Sequence, residues 1–139
     1  MDKNLLQYLP TFAELCDRYT VVLLKRIFIT ENKDAYDKEL VAIENDMAVY
    51  IKQDDIKLTP TIIKALSMIM LSNRYIWENE SLCRSTGNQN PSLLVKTHSV
   101  NGVRNRFKNV LSQELGQRID MKIDCLAAEL QGDVENWNV

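Results

Sequence analysis

The sequence predicts an all-α fold: a single antiparallel bundle of four long helices followed by a short C-terminal helix. Apolar residues recur at spacings of three and four over four long stretches, which is the period of a helix face. Gly and Pro are scarce, with 4 and 3 among 139 residues, and this composition disfavours a turn-rich β fold. The connections between the four stretches are short, so consecutive helices should be neighbours in space.

Local signals mark where the long helices begin and end. Thr11 and Glu14 have the spacing of a capping box. Thr59 with Pro60 provides an N-cap followed by proline at the first helical position. The four long helices are therefore expected at Thr11 to Ile29, Asp34 to Gln53, Pro60 to Ser85 and Pro91 to Leu115.

The C-terminal end of the sequence carries a weaker pattern. Residues 118–124 alternate apolar and polar side chains as a strand would. The absence of a second strand candidate favours a helix that ends at Gly132. We expect one domain over residues 1–132 and a flexible tail over residues 133–139.

The third long helix is predicted to be the central element of the bundle. One stripe of it begins with Ile62 and Ile69 and becomes polar towards its end. A second apolar side contains Met68, Leu71, Tyr75 and Leu82. We therefore expect other helices to cover this one on two sides.

Charge and cysteine content exclude several classes of protein. A net charge of −2 argues against a non-specific nucleic-acid binder. The 3 cysteines are widely spaced, so the sequence indicates neither a disulfide framework nor a zinc site and favours the reducing cytoplasm. No apolar run reaches about 18 residues, so no membrane span is expected. No glycine-rich phosphate loop is present, and no cofactor is indicated.

Polar residues at helical spacing interrupt the apolar faces of three of the long helices, and we call this set the polar seam. Ligand and metal sites in bundles are built from inward side chains of facing helices, so these residues should converge. The polar seam consists of Asp17, Asn73, Trp77, Glu80, Arg84, Asn101, Arg104 and Lys108.

The polar seam has two interpretations. In the first, Arg84, Arg104 and Lys108 bind a phosphate or carboxylate group, Trp77 forms a wall and the two Asn side chains orient the ligand. In the second, the same groups form interhelical hydrogen bonds and ion pairs that only fix which helix lies beside which.

Catalytic and metal-binding signals are weak, so the sequence leaves open whether the protein is an enzyme. Glu14 and Asp17 have the E-x-x-D spacing seen in magnesium-dependent helical pyrophosphatases, but no facing E-x-x-E pair appears. Glu78 and Glu80 point to different sides of their helix. His98, the single histidine, is expected to be a surface or hydrogen-bonded residue. No metal site is predicted.

Three segments resemble the signatures of a family of small uncharacterised bacterial helical proteins. That family reads approximately E-L-I-D-K-L-T-I, then N-x-x-L-W-x-x-E, then N-x-x-R-x-x-x-K-x-x-I-N. The resemblance implies no reaction, but it implies that the polar seam residues within these segments act together. The segments are Glu14-Leu-Cys-Asp17-Arg-Tyr-Thr-Val-Val, Asn73-Arg-Tyr-Ile-Trp77-Glu-Asn-Glu80 and Asn101-Gly-Val-Arg104-Asn-Arg-Phe-Lys108-Asn109.

These features lead to three functional hypotheses. The first is a helical binding or scaffold module that forms a homo-oligomer, because the stretch Tyr19 to Ile29 is apolar almost all round. The second is a site for an anionic small molecule, such as a nucleotide or sugar nucleotide, in the bundle core. The third is an RNase-like helical domain, although no His follows Arg104 at the spacing of the R-x4-6-H motif that such RNases carry.

Overall fold

The computed structural model describes residues 5–85 and 91–121, and these residues form four α-helices and no strand. The predicted all-α bundle is therefore confirmed, and each helix end lies within one residue of its predicted position. At Thr59 the hydroxyl accepts a hydrogen bond from the Ile62 N–H at 3.2 Å, which confirms this N-cap. The helices are α1 (Phe12–Phe28), α2 (Lys33–Gln53), α3 (Pro60–Ser85) and α4 (Pro91–Glu114).

The first turn of α1 is capped by its own residues and by a distant part of the chain. Thr11 Oγ1 accepts from the Glu14 N–H at 3.1 Å, and Glu14 Oε2 accepts from the Thr11 N–H at 3.0 Å, which is the predicted capping box. Gln117 Oε1 accepts from the Phe12 N–H at 3.0 Å. Gln117 follows α4, which ends in a Schellman motif with Gly116 in the left-handed region at φ 67°. The end of α4 thus fixes the start of α1.

Long-range contacts show the directions of the helices. Phe12 at the start of α1 packs on Tyr50 near the end of α2, with ring centroids 6.4 Å apart. Thr59, just before α3, donates a hydrogen bond to Glu114 at the end of α4 at 3.2 Å. Both pairs join the start of one helix to the end of the next, so α1 and α2 are antiparallel, as are α3 and α4.

Two clusters of buried side chains hold the bundle together, and α1 contributes to both. Burial of apolar surface contributes about 25 cal/mol per Å², so these clusters supply most of the stability. The cluster between α1 and α2 contains Leu15, Val22, Leu40 and Ile43. The cluster among α1, α3 and α4 contains Phe12, Ala13, Cys16, Ile62, Ala65, Ile69 and Leu111.

The central helix is α1, so the prediction that α3 is central was wrong. The backbone of α1 approaches α2, α3 and α4, whereas within the described residues the backbone of α2 approaches α1 alone. On α3, Leu71, Tyr75 and Leu82 are 62%, 37% and 51% exposed. The second apolar side of α3 therefore lacks the expected cover from residues 5–85 and 91–121. Apolar periodicity indicates which faces favour burial, but it does not supply the neighbour that buries them.

The first residues after α4 do not form the helix that the sequence predicted. Residues 117–121 have neither helical nor strand structure. The Asn109 side chain donates to the Asp120 carbonyl at 2.9 Å and accepts from the Asp120 N–H at 3.0 Å, so it occupies backbone groups that a helix would pair. Arg118 donates to the Leu9 carbonyl at 2.6 Å. The rest of the predicted C-terminal helix and tail lies outside the described residues.

Candidate functional site

Four residues of the polar seam meet in one hydrogen-bonded network where α1, α3 and α4 come together. Asn73 is 3% exposed, and its Nδ2 donates to Asp17 Oδ1 at 2.8 Å and to Thr20 Oγ1 at 2.6 Å. Arg104 Nη1 donates to Asn73 Oδ1 at 3.2 Å. Lys108 Nζ lies 3.3 Å from Asp17 Oδ2. The network therefore joins side chains from all three helices.

The charges of this network do not balance. One carboxylate, on Asp17, faces the two cations of Arg104 and Lys108, and the three side chains are only 17–23% exposed. Arg104 Nε lies 4.0 Å from Asp17 Oδ1, which is too long for a hydrogen bond. Arg104 Nε is buried and has no acceptor. An unpaired buried donor costs about 1–3 kcal/mol, so the network holds the Arg104 guanidinium at a cost in stability.

A cavity of about 530 Å³ adjoins the network. This volume lies within the range of about 300–1,000 Å³ that is usual for small-molecule sites. Asp17 and Lys108 do not line the cavity, but Asp17 contacts Asn73 and Arg104, which do, and Lys108 pairs with Asp17. The structure therefore brings all eight residues of the polar seam to one region. The residues of the polar seam that line the cavity are Asn73, Trp77, Glu80, Arg84, Asn101 and Arg104.

Other residues of the site were missed by the sequence reasoning. Thr20 belongs to the network. Lys25 lies four residues after Val21 and eight after Asp17, so the same helical spacing that selected Asp17 could have found it. Most of the remaining lining is apolar. The lining residues outside the polar seam are Val21, Leu24, Lys25, Ile29, Ile76 and Ser81.

The lining carries more positive than negative charge. Its cations are Lys25, Arg84 and Arg104, and its one carboxylate is Glu80. Within residues 5–85 and 91–121, no ion pair holds Lys25, Glu80 or Arg84. The cavity therefore presents an excess of two positive charges beside an apolar surface, which favours an anion that also has an apolar part.

Trp77 forms one wall of the cavity and is supported from behind. The Phe28 ring packs on the Trp77 indole with centroids 6.3 Å apart and planes inclined by 32°. The Arg74 guanidinium lies 4.2 Å from the Phe28 ring centroid, and Arg74 also pairs with Glu78 at 2.8 Å. These contacts restrain the indole in the absence of a ligand.

Cys16 lies near the network but is not a nucleophile. It is 2% exposed within the core shared by α1, α3 and α4. Burial raises the pKa of the Cys16 thiol from 9.0 to about 12, and the negative charge of Asp17 adds to this effect. The thiol therefore stays protonated at neutral pH and packs as a small apolar side chain.

The described residues provide neither a metal cluster nor a membrane span. No group of three or more His, Cys, Asp or Glu side chains in residues 5–85 and 91–121 is arranged to hold a metal ion. None of the four helices described has the combination of length and apolar character that crossing a bilayer requires.

The fold and the site define an all-α bundle with a cation-rich cavity among three of its helices. Comparisons with protein-family models, with curated proteins and with solved structures find no significant match for the chain. The resemblance to small bacterial helical proteins therefore rests on the three sequence segments and stays a prediction.

Proposed function

We propose that the protein binds a small phosphorylated or carboxylated molecule in the cavity between α1, α3 and α4. The observation that carries the proposal is the charge of the lining. Lys25 and Arg84 have no ion-pair partner among the described residues, and Arg104 adds a third cation to the lining. An anion supplies acceptors for these groups, and charge-assisted hydrogen bonds are about twice as strong as neutral ones.

The position of Arg104 supports binding because the side chain is held before a ligand arrives. Its Nη1 is fixed by Asn73, which is itself held by Asp17. A restrained guanidinium loses less conformational entropy on binding than a free one, so more of the interaction energy appears as affinity.

Thermal unfolding in the presence of anions tests this proposal. Inorganic phosphate, ribose 5-phosphate and citrate serve as probes, and at least one of them is expected to raise the melting temperature. At a hundredfold excess over Kd, a ligand stabilises the folded state by about 2.7 kcal/mol. Arg84→Gln and Lys25→Gln are each expected to weaken binding by roughly tenfold, because each removes a charge-assisted contact.

Arg106→Gln is the matched control. Arg106 is exposed on α4 and does not line the cavity, so this variant makes the same change of charge away from the site. Binding should be unchanged in it. The proposal fails if no probe shifts the melting temperature, or if Arg106→Gln weakens binding as much as Arg84→Gln does.

Self-association as a binding or scaffold module is a second candidate function. Within the apolar stretch that suggested it, Val22 and Leu24 are buried, whereas Ile27 and Phe28 are 62% and 47% exposed. Self-association is also favoured by an exposed apolar row on α3, which consists of Leu71, Tyr75 and Leu82. Light scattering over a range of micromolar concentrations should then give a mass above that of one chain, and Leu71→Glu should reduce it. A monomer at every concentration contradicts this candidate.

A further inference from the structure

We infer that the ligand of the cavity is a mononucleotide, whose base stacks on Trp77 and whose phosphate binds the cations of the lining. This inference rests on the proposed function and specifies the class of ligand. Three features of the lining carry it: an aromatic wall, an unpaired carboxylate and the number of cations.

The aromatic wall provides a surface for a planar ring. Trp77 lines two hollows, the cavity of about 530 Å³ and a more open groove of about 400 Å³. Phe28 lines the groove and does not line the cavity. Phe28 therefore packs on the indole without entering the cavity, and Trp77 contributes surface to the cavity as well. Bases stack on such aromatic surfaces in many nucleic-acid-binding sites.

The support behind Trp77 makes this surface rigid. Arg74 is held by Glu78 and contacts the Phe28 ring, which packs on the indole. The stack leaves the indole few alternative positions. Stacking of a ligand on the indole then costs little side-chain entropy, so more of the contact energy appears as affinity.

The carboxylate of Glu80 selects against a ligand that is anionic throughout. Glu80 is exposed at the cavity, and because a carboxylate accepts hydrogen bonds and does not donate them, it favours a ligand that presents a hydroxyl or amino group there. In dinucleotide-binding sites an acidic residue accepts from the ribose hydroxyls in this way. Glu80 lies three residues after Trp77, on the same side of α3, so sugar and base fall next to each other.

The number of cations fits a single phosphate group. The lining has three cations and one carboxylate, which leaves two positive charges. A phosphomonoester carries about −1.5 to −2 charge at pH 7. Asn101 lines the same cavity, and its amide offers both a donor and an acceptor to the edge of a base. The lining therefore has a partner for the phosphate, the sugar and the base of one mononucleotide.

Calorimetric titration with AMP, adenosine and ribose 5-phosphate tests this inference without any substitution. AMP is expected to bind more tightly than either of its two parts. Trp77→Leu is expected to weaken AMP binding by roughly tenfold, the low end of what a stacked base contributes, and to leave ribose 5-phosphate binding unchanged. Binding of AMP should also quench the fluorescence of Trp77, measured in a Trp137→Phe background.

Tyr75→Leu is the matched control, since Tyr75 is an exposed aromatic residue of α3 that does not line the cavity. It should bind AMP as the unaltered protein does. Equal affinities for AMP and ribose 5-phosphate overturn the stacking inference and leave the proposed function standing. The stacking inference is also overturned if Trp77→Leu weakens the binding of AMP and of ribose 5-phosphate equally. Failure of every phosphate compound to bind overturns the mononucleotide inference, and failure of citrate as well overturns both proposals together.

Discussion

Asp17→Ala is expected to lower the free energy of unfolding by about 2–3 kcal/mol. The substitution leaves Arg104 and Lys108 as two like charges without a counter-ion, and it removes one acceptor of Asn73. Loss of one partner from a fully buried ion pair costs about 3–5 kcal/mol. The expected loss at Asp17 is smaller than this, because water still reaches side chains that are 17–23% exposed.

Urea unfolding of Asp17→Ala, Lys108→Ala and the double variant measures this effect. The double variant should be more stable than the sum of the two single losses predicts, because the second substitution removes a repelling cation. Asp46→Ala is the control, since Asp46 is exposed on α2, and it should change stability by less than about 0.5 kcal/mol. Equal losses at positions 17 and 46, or simple additivity in the double variant, would contradict a coupled network.

Alkaline pH is expected to remove the stability that Cys16 contributes. The folded state raises the pKa of this thiol from 9.0 to about 12, so ionisation is easier in the unfolded chain. Below pH 9 both states keep the proton and the contribution is complete. Above it the unfolded state loses its proton first, and stability falls by about 1.4 kcal/mol per pH unit until the folded pKa is reached. The largest total loss is about 4 kcal/mol.

The measurement is the free energy of unfolding of the unaltered protein and of Cys16→Ala at a series of pH values. Burial also raises the pKa values of Tyr19 and Tyr50, but both variants keep these groups, so the difference between the curves isolates the thiol. Cys16→Ala should be the less stable protein at neutral pH, and its deficit should shrink as the pH rises above 9. Parallel curves would show that the thiol is not protected by burial.

Helix ends were predictable because they are decided by neighbouring residues. The hydroxyl of Thr11 and the carboxylate of Glu14 act within a single turn, and Thr59 caps α3 in the same local way. The identity of the central helix was not predictable in this way. Both α1 and α3 have apolar residues on two sides, and the choice between them depends on tertiary contacts that periodicity does not encode.

The network was predictable where a polar residue interrupts an apolar stripe. Asp17 and Asn73 stand out for this reason, Arg104 lies on a polar stripe beside the buried stripe of α4, and the structure places the three in contact. Lys25 was not predicted as a site residue because it lies with Arg18 on the face of α1 next to the buried stripe. The cavity itself has no sequence signal, since it depends on how well side chains of three helices fill the space between them.

The hydrogen bond from Phe12 to Gln117 has a consequence for synthesis on the ribosome. The two residues are separated by 105 positions, and translation proceeds at about 5–20 residues per second. The acceptor for the Phe12 N–H is thus made about 5–20 seconds after its donor. During that interval water must serve as the acceptor for this amide, and a nascent chain shorter than 117 residues cannot close the first turn of α1 as the finished protein does.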